Sequence, residues 1–410
     1  MRLLFELYNR LRKYKVVQTL KDWLYQVANK VLDYKLKGGF INSDINKYDL
    51  NVNSELMRLQ RSGISLPIKS ITWFIPAFSE PHAGMNNIFE FIKYLMNKGI
   101  SINIVLLANK IGIMYCQNVI NTDSKYKWLK QANIFHNSDV SKLPYTDAGV
   151  ATACDTAYSL LKYNKTRSKF YFIQDDERMM YTDVYKKRLA ENTYKFGFGG
   201  IATAKCLERM YKEEFCSNCE SYFTALNIQQ PYVLKHKSSI ERLFFYARPE
   251  KEQERNGFKY GLEGLKEIKK RHNGLEIVTA GSNKSFNDEG IGIIQLGNLP
   301  LDIIEDFYST CDVGISILLS RHTGVIPFEL MAMSVAVLTN KQEYANDYII
   351  SGYNCITFEL NPISIADAFD KLYYDLDLYN EIIKNGYNFV NSIRPVEEEI
   401  ARVSKKLFGV

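Results

Sequence analysis

The chain has 410 residues, 46% hydrophobic and 24% charged, with 23 Gly and 10 Pro, values that exclude a collagen-like, fibrous or largely disordered protein and suit about two domains. Residues 1–37 hold nine basic side chains (Arg2, Arg10, Arg12, Lys13, Lys15, Lys21, Lys30, Lys35, Lys37) and three acidic ones (Glu6, Asp22, Asp33), which account for the whole net charge of +6. The body from residue 38 onward is therefore neutral overall, unlike a surface built to bind nucleic acid. Seven cysteines, sparse and odd in number, argue against a secreted disulfide framework and for a reducing compartment.

In the first segment, Leu4, Leu7, Leu11, Tyr14, Leu20, Leu24, Val27 and Val31 recur at steps that put most of them on one helical stripe, with basic residues on the other faces. Such a basic amphipathic helix can lie in the plane of an anionic membrane surface; a helical pair packing its stripe on the protein body is the other reading. No stretch reaches the roughly 18 apolar residues of a spanning helix, and there is no apolar core of a signal peptide.

From residue 69 strands and helices alternate. Strands are expected at Ser70–Ile75, Ile102–Leu107, Ile134–Phe135, Val150–Cys154 and Phe170–Ile173, with helices between, the first at Ile88–Lys98. A second series runs through strands at Leu243–Tyr246, Leu275–Thr279, Ile293–Leu296, Val313–Ile317 and Ala336–Thr339, with helices at Tyr260–Lys269 and Asp302–Ser309. This alternation predicts parallel sheets with right-handed crossovers, hence an α/β fold of two Rossmann-like halves facing across a cleft. The polar stretch 227–239 reads as the linker.

Four segments could carry chemistry. Ser79–Asn87 joins a strand to a helix; Gly84 lets a ligand approach the backbone, and free N–H groups at Met85–Asn87 could cradle a phosphate, although glycine also serves such turns for steric reasons alone. His82 in this loop is a candidate catalytic residue. Tyr246–Gly257 follows the first strand of the second half, where Arg248 would point into the cleft and Arg255 could help neutralise a diphosphate, unless the run is simply a solvated, charge-balanced loop.

Ser320–Met333 leads into a helix opened by Pro327. Its N–H groups at Thr323, Gly324 and Val325 could face an anion, and Glu329 could accept two hydroxyls of a ribose or merely favour the helix dipole. Gln174–Glu177 sets three carboxylates at a strand end, where Asp175 or Glu177 could act as a base, or the group could be a polar turn. Cys216 and Cys219 have the spacing of a zinc knuckle but no second pair or nearby His, so no metal is expected. Walker A, GxSxG and intact GxGxxG motifs are absent, which argues against a P-loop ATPase, a hydrolase of that type and a dinucleotide oxidoreductase.

Together these segments resemble sugar-nucleotide glycosyltransferases of the GT-B fold, through Pro327-Phe328-Glu329-Leu330-Met331-Ala332. More narrowly they resemble the WsaF-like rhamnosyltransferases of rhamnan synthesis, through FIPAFSEPHAGMNNIFEF (74–91), YFIQDDE (171–177), ENTYKFGFGGI (191–201), FFYARPEKEQERNGF (244–258) and LGNLPLDIIEDFYSTCDVGISI (296–317). The resemblance implies that Gly84 and Met85 face the donor phosphates, Arg248, Arg255 and Asn256 the diphosphate, Gly297 the base and Glu329 the ribose. It matches Asp175 and Glu177, whereas Asp176 and Arg178 replace an aromatic residue and a proline. Arg321 replaces a glutamate eight residues before Glu329.

The expectation is a GT-B architecture with a basic amphipathic helical segment at 1–38. A Rossmann-like acceptor domain would span 39–230 and a nucleotide-sugar domain 231–390, with a helix at 391–410 returning to the first domain. The activity expected is transfer of a sugar, with rhamnose from dTDP-rhamnose the leading donor, to a lipid-linked glycan. No metal or cofactor would be needed, no nucleic acid would bind, and residues 1–37 would hold the enzyme on the cytoplasmic face of the membrane. The rivals are a non-catalytic nucleotide- or glycan-binding scaffold and a nucleotide-sugar epimerase of the same fold.

Overall fold

An unbroken buried run such as Ile71-Thr72-Trp73-Phe74-Ile75 can sit only in a strand covered on both faces. Such strands form the centre of each half of the protein. The computed structural model describes residues 67–410 apart from 77, 79–82, 109, 137–142, 216, 225, 227–231, 343 and 345–346. The basic segment 1–37 and His82 thus lie outside the described residues.

The first half comprises β1 (Ser70–Pro76), α1 (Ala83–Asn97), β2 (Ser101–Leu107), α2 (Lys110–Thr122), β3 (Asn133–His136), β4 (Thr146–Ala151), α3 (Cys154–Lys162), β5 (Thr166–Ile173), α4 (Val184–Tyr194), β6 (Gly199–Ala202), α5 (Lys205–Phe215) and β7 (Cys219–Ser221). All strands pair parallel, in the order β3-β2-β1-β4-β5-β6-β7. The expected strand at Val150–Cys154 is corrected: β4 ends at Ala151 and Cys154 already opens α3. The reason is local, because the Thr156 hydroxyl accepts from the Thr152 and Ala153 N–H groups, each at 2.8 Å, and turns the chain into the helix.

The second half comprises β8 (Arg242–Tyr246), α6 (Phe258–Arg271), β9 (Glu276–Ala280), β10 (Ile294–Gln295), α7 (Ile304–Ser309), β11 (Val313–Ser316), α8 (Ile326–Ala332), β12 (Ala336–Asn340), β13 (Ile356–Phe358), α9 (Pro362–Tyr374), α10 (Leu376–Ser392) and α11 (Val396–Phe408). Its strands are again parallel, in the order β10-β9-β8-β11-β12-β13.

Side chains alternate between the faces of each sheet. In β1, Ile71, Trp73 and Ile75 join the core beneath α1, while Phe74 joins the one beneath α3 and α4. The last helix does not cover the second sheet. Ile400, Val403, Leu407 and Phe408 of α11 pack into the first-sheet core, and the Ile68 N–H donates to the Phe408 carbonyl at 2.9 Å.

Both strand orders reverse direction of winding beside the first strand of the sheet, between β1 and β4 and between β8 and β11. Helices leave opposite faces there, so the carboxyl ends of these strands flank a crevice. The segments after β1, β5, β8, β10 and β11 carry the candidate residues. Among the described residues no helix is long and apolar enough to cross a membrane.

Candidate active site

Asp175 follows the last residues of β5, and only 6% of its surface is exposed. Its carboxylate accepts from the Arg255 guanidinium, which comes from the other half of the protein. Arg255 is held there by the backbone: the Leu319 N–H donates to the Arg255 carbonyl at 2.6 Å, tying the turn Lys251–Asn256 to the end of β11. Gly257 permits this approach, since it adopts φ +59° and a β-carbon on it would come within 2.2 Å of Ile317 Cγ2. Burial pushes the Asp175 pKa up, against the pull of Arg255, His322 and the Ser320 hydroxyl.

The three adjacent carboxylates separate completely. Asp176 is fully buried and takes a two-pronged hydrogen bond from Arg178, Nε and Nη2 each donating at 2.7 Å. Arg321 Nε stands 3.5 Å from the same carboxylate. Glu177 turns into the first half, where it accepts from the Cys154 N–H at 2.7 Å and the Tyr171 hydroxyl at 2.6 Å. Burial raises its pKa to about 7; the two hydrogen bonds oppose the shift, and the nearby Asp155 and Asp175 add to it. Glu177 is therefore not brought to Arg255 with Asp175, and the expected pair of cleft carboxylates reduces to Asp175.

Arg248, beyond the end of β8, donates weakly to the Tyr246 hydroxyl (3.4 Å), while its Nε is buried with no hydrogen-bond partner among the described residues. A buried guanidinium N–H without an acceptor is costly unless something supplies one. Asn256 is buried at the end of the same turn.

Glu329 is fully buried in the first turn of α8, where its carboxylate accepts from the Tyr308 hydroxyl at 3.2 Å. Burial and this neighbour push the Tyr308 phenol well up. In the preceding loop the Thr323 hydroxyl donates to the Gly324 carbonyl (3.2 Å), and the Gly324 N–H donates to His322 Nδ1 (2.9 Å). One of the three amides expected to face an anion is thus used within the loop. Val325 caps α8.

Gly84 is the second residue of α1, and the Met85 side chain is in the core, leaving only its backbone for a ligand. Gly297 lies past β10 with φ +75°, and its carbonyl accepts from the Gly281 N–H at 3.0 Å. Two side chains not singled out in the sequence enter the site here, Ser320 and His322. The signal for both was their place just after β11, beside Gly324. Among the described residues no group of three or more His, Cys, Asp or Glu is arranged to hold a metal.

Residues 241–370 match the family described as WsaF, C-terminal domain. Over 315 residues the chain is 27% identical to the O-antigen biosynthesis protein RfbC of Myxococcus xanthus, a match that takes in 73% of this chain. It takes in 24% of RfbC, so the chain spans about a quarter of that curated relative's length. Among solved structures, a TarM variant of S. aureus in complex with Fondaparinux, alpha-GlcNAc-glycerol and UDP is 11% identical with a TM-score of 0.61, covering 83% of this chain and 100% of that one. HepE of Anabaena in complex with UDP and glucose is 12% identical, also with a TM-score of 0.61 and the same coverage. On its two parallel sheets, their paired switch points and these likenesses, the chain has the GT-B fold, and its second half is similar to the WsaF C-terminal domain.

Proposed function

We propose that the protein is a glycosyltransferase of cell-surface polysaccharide synthesis, moving a sugar from a nucleotide diphosphate donor to a lipid-linked glycan. The observation that carries this reading is Arg255 held against Asp175 of the other half, with Arg248, whose buried Nε has no hydrogen-bond partner among the described residues, just past the end of β8. A departing nucleotide diphosphate accumulates negative charge, and guanidinium groups held in the segment after β8 would stabilise it without reorganising. In the transfer, the bond from the anomeric carbon to the phosphate oxygen breaks with its electron pair on the diphosphate. A bond forms to an acceptor hydroxyl oxygen, whose proton passes to a carboxylate base; Asp175 is the one at hand. The occupants of the TarM and HepE structures and the O-antigen role of RfbC support this class of donor and product.

The finer reading is dTDP-rhamnose as donor, no metal requirement, and attachment of residues 1–37 to the cytoplasmic face of an anionic membrane. The test is release of nucleotide diphosphate from UDP-, dTDP- and GDP-sugars with EDTA present. Arg248→Ala should lower turnover about 100-fold with an unchanged unfolding midpoint, the usual cost of one charge-stabilising group. Full turnover in that folded variant refutes the assignment, and absence of turnover or nucleotide binding in the wild-type protein favours a scaffold.

A further inference from the structure

Arg255 answers two demands. It is the cationic partner of Asp175, and in the function proposed above, on which this inference rests, it takes a donor's diphosphate. The surroundings of Asp175 show what it loses if Arg255 is taken. One donor to its carboxylate comes from its own half, the Asp176 N–H at 2.8 Å. The other groups beside its carboxylate come from the second half: Arg255, which pairs with it, and Ser320 and His322.

Among the described residues no other cation pairs with the Asp175 carboxylate. His322 Nδ1 accepts the Gly324 N–H, so the neutral ring carries its proton on Nε2, and burial lowers the pKa of this ring, with Asp175 opposing the effect and Arg255 adding to it. Arg178 and Arg321 are committed to Asp176 and Glu214. Tyr194 from α4 donates to the Asp175 backbone carbonyl at 3.2 Å and not to its carboxylate. Glu177 is a further acid close by, and Cys206 of α5 is buried, its thiol pKa pushed up by burial with Asp175 adding to the effect. A buried carboxylate in such company without a counter-ion is strongly disfavoured.

We propose that the Asp175 carboxylate and the donor diphosphate are alternative partners of Arg255, so that donor binding frees Asp175 and raises its affinity for a proton. Paired with Arg255, Asp175 is a poor base; released beside two phosphate charges, it is a better one at the moment an acceptor hydroxyl needs deprotonating. The order of events, donor before base, is thereby built into one ion pair.

The experiment is calorimetric titration with intact UDP-glucose, GDP-mannose and dTDP-rhamnose, whose diphosphates have no proton that titrates near neutrality, in buffers of differing ionisation heat. For whichever binds, the wild-type protein should take up a fraction of a proton, less than one, the ionised remainder being the base. In Asp175→Asn the uptake should vanish and the affinity should rise about tenfold, because the internal competitor is gone. Should that variant fail to fold, Arg255→Ala serves: its Asp175 is already without a partner, so binding weakens and uptake is lost. Binding to the wild-type protein without uptake, uptake that persists in Asp175→Asn, or an affinity unchanged or weakened there overturns the exchange while leaving the donor reading intact. Failure of every nucleotide sugar to bind removes both.

Discussion

Three neighbouring acids at 175–177 meet three different fates, and the difference comes entirely from what surrounds each side chain. Asp175 meets an arginine from across the cleft, Asp176 is chelated by Arg178 two residues on, and Glu177 is a strut between β5 and α3. The pKa of Glu177, raised to about 7 chiefly by burial, has a measurable consequence. The folded state holds this proton more tightly than the unfolded chain does, so its contribution is fully present below the unfolded value near 4.5 and is lost as pH rises towards 7. That loss is worth roughly 3 kcal/mol. In Glu177→Gln the decline of urea-unfolding free energy between pH 5 and 7.5 should be shallower by about that amount, and an identical slope would show that Glu177 does not titrate there.

At the scale of elements, the central strands were plain from their buried apolar runs, and the observed β1, β2, β5, β8, β9, β11 and β12 agree with the expected ones to within a few residues. The strands missed were β6, β7 and β13. Gly-Gly-Ile-Ala and Cys-Glu-Ser have neither length nor pattern, and they become strands because a neighbour already in place offers a parallel ladder. The helix α11 illustrates a different point. Its apolar stripe is visible in the sequence, but a stripe does not say which core will receive it. The Phe408 ring lies edge-on to Phe170 at 5.0 Å in the first half, far back along the chain. Phe408→Ala should cost about 3–5 kcal/mol in urea unfolding, as for other fully buried phenylalanines. A loss below about 1 kcal/mol would mean that α11 is not fastened there.

Across the whole molecule the two halves meet through a polar seam and a small aromatic contact. Phe223 packs edge-on against Phe328 at 4.9 Å and Tyr348 at 5.3 Å, and the Lys205 N–H donates to the Tyr348 hydroxyl at 3.1 Å. Arg209 pairs with Asp347, and Arg321, stacked 4.4 Å from the Tyr344 ring centroid, pairs with Glu214. Arg178, on the same half as Asp176 and Glu214, already binds both carboxylates. Separation of the halves would therefore leave neither acid without a cation, so this part of the seam can open at little cost. Partly exposed pairs of this kind contribute about 1 kcal/mol or less. Glu214→Lys, which faces two arginines with a third cation, should enlarge the radius of gyration measured by X-ray scattering. Adding Arg321→Glu should reverse the change, and an unaltered radius in the single variant would show that the seam does not hold the halves together.

Much of the site was legible because function at a strand's carboxyl end needs recognisable residues. An arginine two positions past β8 and a glycine loop past β11 are local features, and position in an α/β repeat is enough to place them at a crevice. Their partners were not legible. Arg255 and Asp175 are 80 residues apart in the chain, and Arg321 and Glu214 are 107 apart. Charge pairing over such distances depends on how two domains are set against each other, and no short-range pattern encodes it.

The sequence by itself determined the alternation of strands and helices, the location of the net charge in residues 1–37, and the loops that would flank a cleft. These follow from side-chain periodicity and composition, which act within a few residues. Only the tertiary structure decided that Glu177 turns inward, that Arg255 is bound to Asp175, and that Arg321 spans the seam. Those outcomes depend on burial and on charges brought together from distant parts of the chain, and neither exists until the chain has folded.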